Sequence, residues 1–174
     1  KTLPCMGQGA VLLSAAGVDR HALRENTMLF GTSSPSYPIM ASIDLARAYT
    51  EGPGHAEYRR SAETCAELRA YVQHRTMFTA LTEDHFPALD PCRLTVCTAG
   101  TDITGHQLAD TLWSECGVAC EMADDRNVVF ILTGSDPNGA ISRLKRGLRR
   151  ISRRRELIPQ IGRASCRERV FGYV

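Results

Sequence analysis

Three hydroxyl residues, Thr32-Ser33-Ser34, form a loop shortly before a predicted helix, and they are the first residues whose chemistry is informative. Hydroxyl and backbone N–H groups ahead of a helix N-terminus can bind an anion such as a phosphate. The same residue types also cap helices without any ligand, by accepting hydrogen bonds from free backbone N–H groups. The residues alone leave both interpretations open, and the helix cap is the commoner one.

The cysteines and histidines do not occur at the spacings typical of metal or redox sites. The seven cysteines are irregularly placed, no Cys-x-x-Cys occurs, and no histidine stands at zinc-finger spacing. We therefore expect reduced thiols that pack as small hydrophobic groups, and no metal site. Gly7 and Gly9 lack the third glycine of a dinucleotide-binding loop.

Composition and charge limit the classes of protein. The chain has 174 residues, of which 43% are hydrophobic and 23% charged, which is typical of a globular domain. Residues 143–169 carry a net charge of +9 and residues 1–142 a net charge of −7, which is not the pattern of a uniformly basic nucleic-acid binder. The sequence has no apolar run of the roughly 18 residues that cross a bilayer, and its first residues lack the basic region, apolar core and cleavage site of a signal peptide. We expect a cytoplasmic protein, with neither membrane nor nucleic acid as its partner.

The first half of the chain must position the hydroxyl loop. An apolar, small-residue stretch over residues 8–15 predicts a buried strand, and Asp19 predicts the cap of a helix that ends before Gly31. Residues 32–38 are rich in proline and serine and predict a loop. Helices are predicted from about residue 39 to 50 and from about 55 to 75.

The second half predicts a small α+β layer. Residues 94–98 alternate and favour a strand, and Thr104 caps a predicted helix from Gly105 to Cys116. Two strands, over 118–122 and 127–133, and a helix capped by Asp136 complete the order strand, helix, strand, strand, helix.

Several segments in one collinear order resemble a known family. They are Lys1-Thr2-Leu3-Pro4 followed by Gln8, the stretch from Thr32 to Tyr37, Asp90-Pro91, Thr104-Gly105 and Glu121-Met122-Ala123-Asp124. In this order they resemble the C-terminal part of a pyridoxal-phosphate-dependent Orn/Lys/Arg decarboxylase of fold type I. The resemblance covers about residues 1–155.

The resemblance implies both site and cofactor. Lys1 is the catalytic residue that holds pyridoxal 5′-phosphate as a Schiff base, and Thr32 and Ser34 approach the cofactor phosphate across the interface of a homodimer. Glu121 is a weaker candidate for recognising a basic substrate, since a strand-edge glutamate in a surface pair explains it equally well. The implied reaction removes the carboxylate of arginine, lysine or ornithine as carbon dioxide, and we favour arginine.

The resemblance also implies a domain plan. Residues 1–76 form the end of an α/β cofactor-binding major domain, with a strand and helices, and residues 77–160 form a small C-terminal α+β domain. Residues 161–174 look like a translated sequencing adapter rather than native protein. Because the cofactor-site residues that precede Lys1 in this family are missing, we expect an inactive fragment of a longer enzyme.

Two alternatives stay open. One is another fold-type-I enzyme resembling an aminotransferase, although the distance from Lys1 to the Thr-Ser-Ser-Pro loop disfavours it. The other is a non-enzymatic module in which the basic region from Arg143 to Arg155 binds RNA or an acidic partner. The lack of interleaved aromatic residues in that region disfavours RNA.

Overall fold

The computed structural model describes residues 3–84, 88–136 and 139–157. Lys1 and the predicted adapter-derived tail at 161–174 lie outside the described residues. The chain divides into two compact units, one up to His55 and one from Ala56. Within the described ranges, no helix is both long and apolar enough to cross a membrane.

The first unit is helical. It contains α1 (Arg20–Phe30), α2 (Tyr37–Glu51) and the start of α3 (Pro53–Arg75). Asp19 caps α1 as predicted, because its carboxylate accepts a hydrogen bond from the His21 N–H at 2.8 Å. α2 begins two residues earlier than predicted because Pro38, in its first turn, suits a helix start.

The strand predicted over residues 8–15 is wrong. These residues form no regular structure, and Val11, Leu12 and Leu13 are 64%, 66% and 88% exposed. A strand needs a partner for its backbone N–H and C=O groups. The described part of the first unit contains no other strand that could pair with this one.

The second unit contains the sheet. Its elements after α3 are β1 (Thr79–Ala80), β2 (Arg93–Cys97), α4 (Gly105–Cys116), β3 (Met122–Ala123), β4 (Asn127–Ile131) and α5 (Ala140–Ser152). The four strands are antiparallel in the order β1-β2-β4-β3. The α+β order predicted for this half is therefore confirmed, with β1 as an additional short strand. The strand predicted over 118–122 is wrong in its bounds, since pairing with β4 is confined to Met122–Ala123.

The core of the second unit lies between one face of the sheet and the helices. Leu94 and Val96 of β2 stand opposite Phe130 and Val128 of β4, and all four side chains are buried. The helices contribute buried residues at helical spacing: Cys65, Leu68 and Val72 from α3, Leu108 and Leu112 from α4, and Leu144, Leu148 and Ile151 from α5. Burial raises the pKa of the Cys65 thiol to about 11, so this cysteine behaves as a core residue.

The two predicted caps in this unit have different outcomes. Thr104 caps α4 in a reciprocal capping box with Gln107, as its position predicted. Asp136 does not cap α5, so that prediction is wrong. Its carboxylate accepts hydrogen bonds from the Thr133 N–H and hydroxyl, both at 3.2 Å, while Gly139 occupies the N-cap.

Candidate functional site

The hydroxyl loop lies between α1 and α2, and its side chains are exposed. The Ser34 N–H donates to the Thr32 Oγ1 at 3.1 Å, so a local turn holds the two predicted site residues together. Thr32 and Ser34 are thus brought to one place, with their hydroxyl hydrogens free to rotate toward a ligand.

The N-terminus of α2 follows this loop and is open. Ser36 occupies the N-cap but makes no side-chain capping hydrogen bond in the described part of the chain, and Pro38 has no N–H. The first-turn N–H groups of Tyr37 and Ile39 therefore have neither an intrahelical partner nor a side-chain cap. This end of the helix carries partial positive charge and favours an anion.

The segment that follows Lys1 in the chain packs on the same helix. The Met6 N–H donates to the Ser42 Oγ at 3.1 Å, and Ser42 donates in turn to the Ile39 carbonyl at 2.7 Å. A Cβ at Gly9 would lie 3.1 Å from the Ile43 side chain, which is closer than an ordinary van der Waals contact, so this segment lies directly against α2. Helix α2 therefore positions both the hydroxyl loop and the chain just after Lys1.

Glu121 lies in the second unit. It directly precedes β3, its side chain is exposed, and its N–H donates to the Val129 carbonyl at 2.8 Å. The structure thus joins Thr32 and Ser34 in one loop, places Glu121 in the other compact unit and does not describe Lys1.

The Asp-Pro motif has a local structural role. The Asp90 carboxylate accepts a hydrogen bond from the Cys92 N–H at 2.9 Å and pairs with the Arg93 guanidinium at 3.1 Å. Arg69 of α3 donates to the carbonyls of Asp90 and Arg93 at 3.0 Å and 2.6 Å. These contacts fix the start of β2 against α3.

The Thr-Gly and Glu-x-Ala-Asp motifs meet at the β3–β4 turn. The Asp124 carboxylate accepts hydrogen bonds from the N–H groups of Arg126 and Asn127, both at 2.7 Å. Burial raises the pKa of Asp124, but these hydrogen bonds outweigh that effect and hold the pKa below its ordinary value. Gly105 packs on the backbone of this turn, where a Cβ would meet the Asn127 carbonyl at 2.6 Å. Both motifs are therefore explained by packing.

One charged cluster is not apparent from the sequence. Glu115 at the end of α4 pairs with Arg150 at 2.8 Å and Arg154 at 3.2 Å on α5. The sequence shows that α5 is basic, but Glu115, which pairs with its arginines, lies at least 35 residues earlier in the chain. The helical spacing of α4 places Glu115 on that helix but does not show which residue it pairs with. In the described ranges, no three His, Cys, Asp or Glu residues are grouped to hold a metal.

Comparison with known proteins agrees with the motif order. Residues 1–85 match the family described as Orn/Lys/Arg decarboxylase, major domain. The constitutive lysine decarboxylase of Escherichia coli K12 is 27% identical over 90% of this chain, and the uncharacterized protein YaaO of Bacillus subtilis 168 is 32% identical over 76%. The chain spans 28% of the length of each of these two relatives.

Solved structures give the same result. The structure of the E. coli constitutive lysine decarboxylase aligns with 78% of this chain and 24% of its own, with a TM-score of 0.56 and 25% identity. The Francisella novicida lysine decarboxylase LdcF aligns with 87% of this chain and 26% of its own, with a TM-score of 0.61. Because LdcF is only 18% identical to this chain, this second similarity shows a shared fold and nothing more. Residues 1–85 therefore resemble a segment of the major domain of the Orn/Lys/Arg decarboxylases.

Proposed function

We propose that this chain is a segment of a pyridoxal-phosphate-dependent decarboxylase that converts a basic amino acid to an amine and carbon dioxide. The observation that carries the proposal is the open N-terminus of α2 with its hydroxyl loop, on the helix that also holds the segment after Lys1. The match of residues 1–85 to the Orn/Lys/Arg decarboxylase family supports the same reaction class.

The residues present fit the phosphate of such a cofactor. The Thr32 and Ser34 hydroxyls would donate to phosphate oxygens, and the first-turn N–H groups of α2 would add the partial positive charge that favours an anion. Lys1 would hold the cofactor through its side-chain amine. The bound cofactor supplies the electron sink for the electrons left when the carboxylate departs.

The proposal extends to architecture. We assign residues 1–76 to the end of a fold-type-I major domain and residues 77–160 to a small α+β domain, whose core includes Cys65, Leu68 and Val72 of α3. Thr32 and Ser34 act across the interface of a two-fold homodimer, which would give the exposed loop a partner. We expect the isolated chain to be inactive, because Lys1 and the hydroxyl loop are only part of the cofactor site that the resemblance implies.

The substrate is a basic amino acid. A curated relative with a named activity is a lysine decarboxylase, so lysine is the first substrate to test. The preference for arginine drawn from the sequence stays a prediction, as does a role for the Glu121 carboxylate in recognising the substrate cation.

The test uses the longer protein recovered by extending the reading frame upstream of Lys1. The purified protein, loaded with pyridoxal phosphate, receives lysine, arginine or ornithine, and both carbon dioxide and the amine are quantified. We expect amine and carbon dioxide in equal amounts from at least one of the three. Lys1→Ala should abolish the release of carbon dioxide. Lys145→Arg should retain it, because Lys145 has a structural role: it contacts Tyr71 and Glu67 on α3, and arginine keeps its positive charge.

Two outcomes would contradict the proposal. Transfer of the amino group to a keto acid without carbon dioxide release would indicate an aminotransferase-like enzyme. Equal release of carbon dioxide by the Lys1→Ala variant would show that Lys1 is not the catalytic residue. For the 174-residue chain by itself, we expect no release above that of its own Lys1→Ala variant.

A further inference from the structure

Ser42 is a half-buried serine in the second turn of α2, and its hydroxyl makes two hydrogen bonds. It donates to the Ile39 carbonyl at 2.7 Å, and its Oγ accepts from the Met6 N–H at 3.1 Å. Met6 lies 36 residues before Ser42 and five residues after Lys1. Through Ser42, α2 therefore holds the part of the chain that carries Lys1.

The stability of the helix does not explain a serine at this position. Ser42 lies inside α2, beyond the free N–H groups that a capping hydroxyl satisfies. A hydroxyl that bonds back to a carbonyl of its own helix stabilises that helix little. Here the bond to Ile39 has a further effect, because it fixes the hydroxyl hydrogen and leaves the lone pairs of the oxygen for the Met6 N–H. The Ser42 oxygen is thus oriented as an acceptor for Met6.

The segment that Ser42 holds is a tight turn over residues 6–9. The Gly9 N–H donates to the Met6 carbonyl at 3.4 Å, which closes the turn. Gln8 has a φ of +69°, and among the described residues it is the one non-glycine residue with a positive φ. Gly9 lies against Ile43, which follows Ser42 on α2. Contacts with α2 therefore hold both ends of the turn.

Burial of apolar side chains does not account for this turn. The Met6 side chain is 54% exposed and Gln8 is exposed, so the turn buries little apolar surface. A non-glycine residue with positive φ is unfavourable and persists only where its surroundings hold it, which is commonest at functional sites. The turn over residues 6–9 comes shortly after the residue to which the proposed function assigns the cofactor.

We propose that Ser42 is a positioning residue for Lys1. The inference rests on the proposed function, because it requires that Lys1 holds the cofactor. The first turn of α2 and its hydroxyl loop would bind the cofactor phosphate, and Ser42 lies about one and a half turns further along the same helix. One helix thus sets the distance between the phosphate site and the segment that carries the Lys1 amine. Without the Ser42 hydroxyl, this amine would be less precisely placed while the phosphate site stayed intact.

Amide hydrogen exchange tests the contact itself, on the cofactor-free longer protein. Ser42→Ala should speed the exchange of the Met6 amide about fivefold or more, because this N–H loses its acceptor. Ser42→Thr keeps a hydroxyl and should restore slow exchange, since Thr50 of the same helix makes the equivalent bond to the Arg47 carbonyl at 2.8 Å. Thr50→Ala is the matched control, and it should leave the exchange of the Met6 amide unchanged.

The loaded longer protein tests the role of the contact. Ser42→Ala should release pyridoxal phosphate about fivefold or more faster on dilution, and kcat should fall by a similar factor while KM changes by less than about twofold. Ser42→Thr should restore both cofactor retention and kcat, and Thr50→Ala should match the wild type. Circular dichroism checks that each variant keeps its fold. A serine that only stabilised the fold would not give this split between kcat and KM.

Two results would overturn this inference alone. One is faster exchange at Met6 with unchanged cofactor release and kcat, which would make the role of Ser42 purely structural. The other is unchanged exchange at Met6 in Ser42→Ala, because Ser42 would then not hold the turn. Both leave the proposed function intact when borohydride reduction still fixes the cofactor to Lys1 of the wild type. Absence of that label in the wild type would overturn the proposed function and this inference together.

Discussion

Asp124 shows how the last carboxylate of the Glu-x-Ala-Asp stretch can act through structure. It accepts hydrogen bonds from two successive backbone N–H groups and from the Asn127 side chain, and so closes the β3–β4 turn. The sequence interpretation of Asp124 as a turn residue is thus explained by its contacts. Asp125 beside it is exposed and has no side-chain hydrogen bond in the described part of the chain.

We therefore expect Asp124→Ala to lower the free energy of unfolding by about 1 kcal/mol, because two backbone N–H groups lose their acceptor. Asp125→Ala, the matched control one residue away, should change it by less than about 0.5 kcal/mol. Urea denaturation near neutral pH measures both. Equal effects of the two substitutions would contradict this role.

The difference between wild type and Asp124→Ala should also depend on pH. The folded-state pKa of Asp124 is lowered, so its stabilisation is fully present above the unfolded-state pKa of about 3.9. It is lost as the pH falls through the still lower folded-state pKa. The two unfolding curves should converge in acid, and a difference that persists there would show that the carboxylate charge is not responsible.

At the scale of elements, features that depend on adjacent residues were predictable. Asp19 and Thr104 cap their helices because a cap depends only on a few neighbouring residues. The strand over residues 8–15 was not predictable in this way, since a strand exists only when another strand pairs with it. The hydroxyl loop of the candidate site is contiguous in sequence and could be found. The Glu115–Arg150 pair depends on the packing of α4 on α5 and could not.

Glycine at the start of α4 provides a test of element packing. Gly105→Ala should lower the free energy of unfolding by about 3 kcal/mol, because the new methyl group would collide with backbone of the β3–β4 turn, which cannot move away cheaply. Gly117→Ala is the matched control at the other end of α4. It should cost only about 1 kcal/mol, from a left-handed φ of +59° in otherwise open space.

Thermal or urea unfolding of the two glycine variants decides the matter. Gly105→Ala should be clearly the less stable of the two. If Gly105→Ala were as stable as wild type, the contact between α4 and the turn would not be as close as described.

At the scale of the whole molecule, the two compact units differ in their burial. The described part of the second unit holds a core of buried residues from three helices and the sheet. In the described part of the first unit, Ala46 is the one buried hydrophobic residue, and Leu29, Phe30 and Tyr37 are 76%, 90% and 81% exposed. Such apolar exposure is typical of a segment that is covered in a larger assembly.

Hydrogen exchange on the 174-residue chain should reflect this difference. Amides of α1 should exchange about a hundredfold or more faster than those of β2 and β4, because the opening of an uncovered helix costs little free energy. Mass spectrometry of peptides from both units measures this in one sample. Equal protection of α1 and β4 would show that the first unit is stabilised by contacts other than those described.

The central claim, that Lys1 holds pyridoxal phosphate in a decarboxylase, is tested most directly by trapping the cofactor on the longer protein. Borohydride reduction fixes the cofactor to its lysine, and peptide mapping identifies that residue. The 174 residues contain two lysines, Lys1 and Lys145, so the map discriminates between them. We expect stoichiometric labelling at Lys1, none at Lys145 and none in the Lys1→Ala variant. Labelling at Lys145, or at no residue of this segment, would contradict the account.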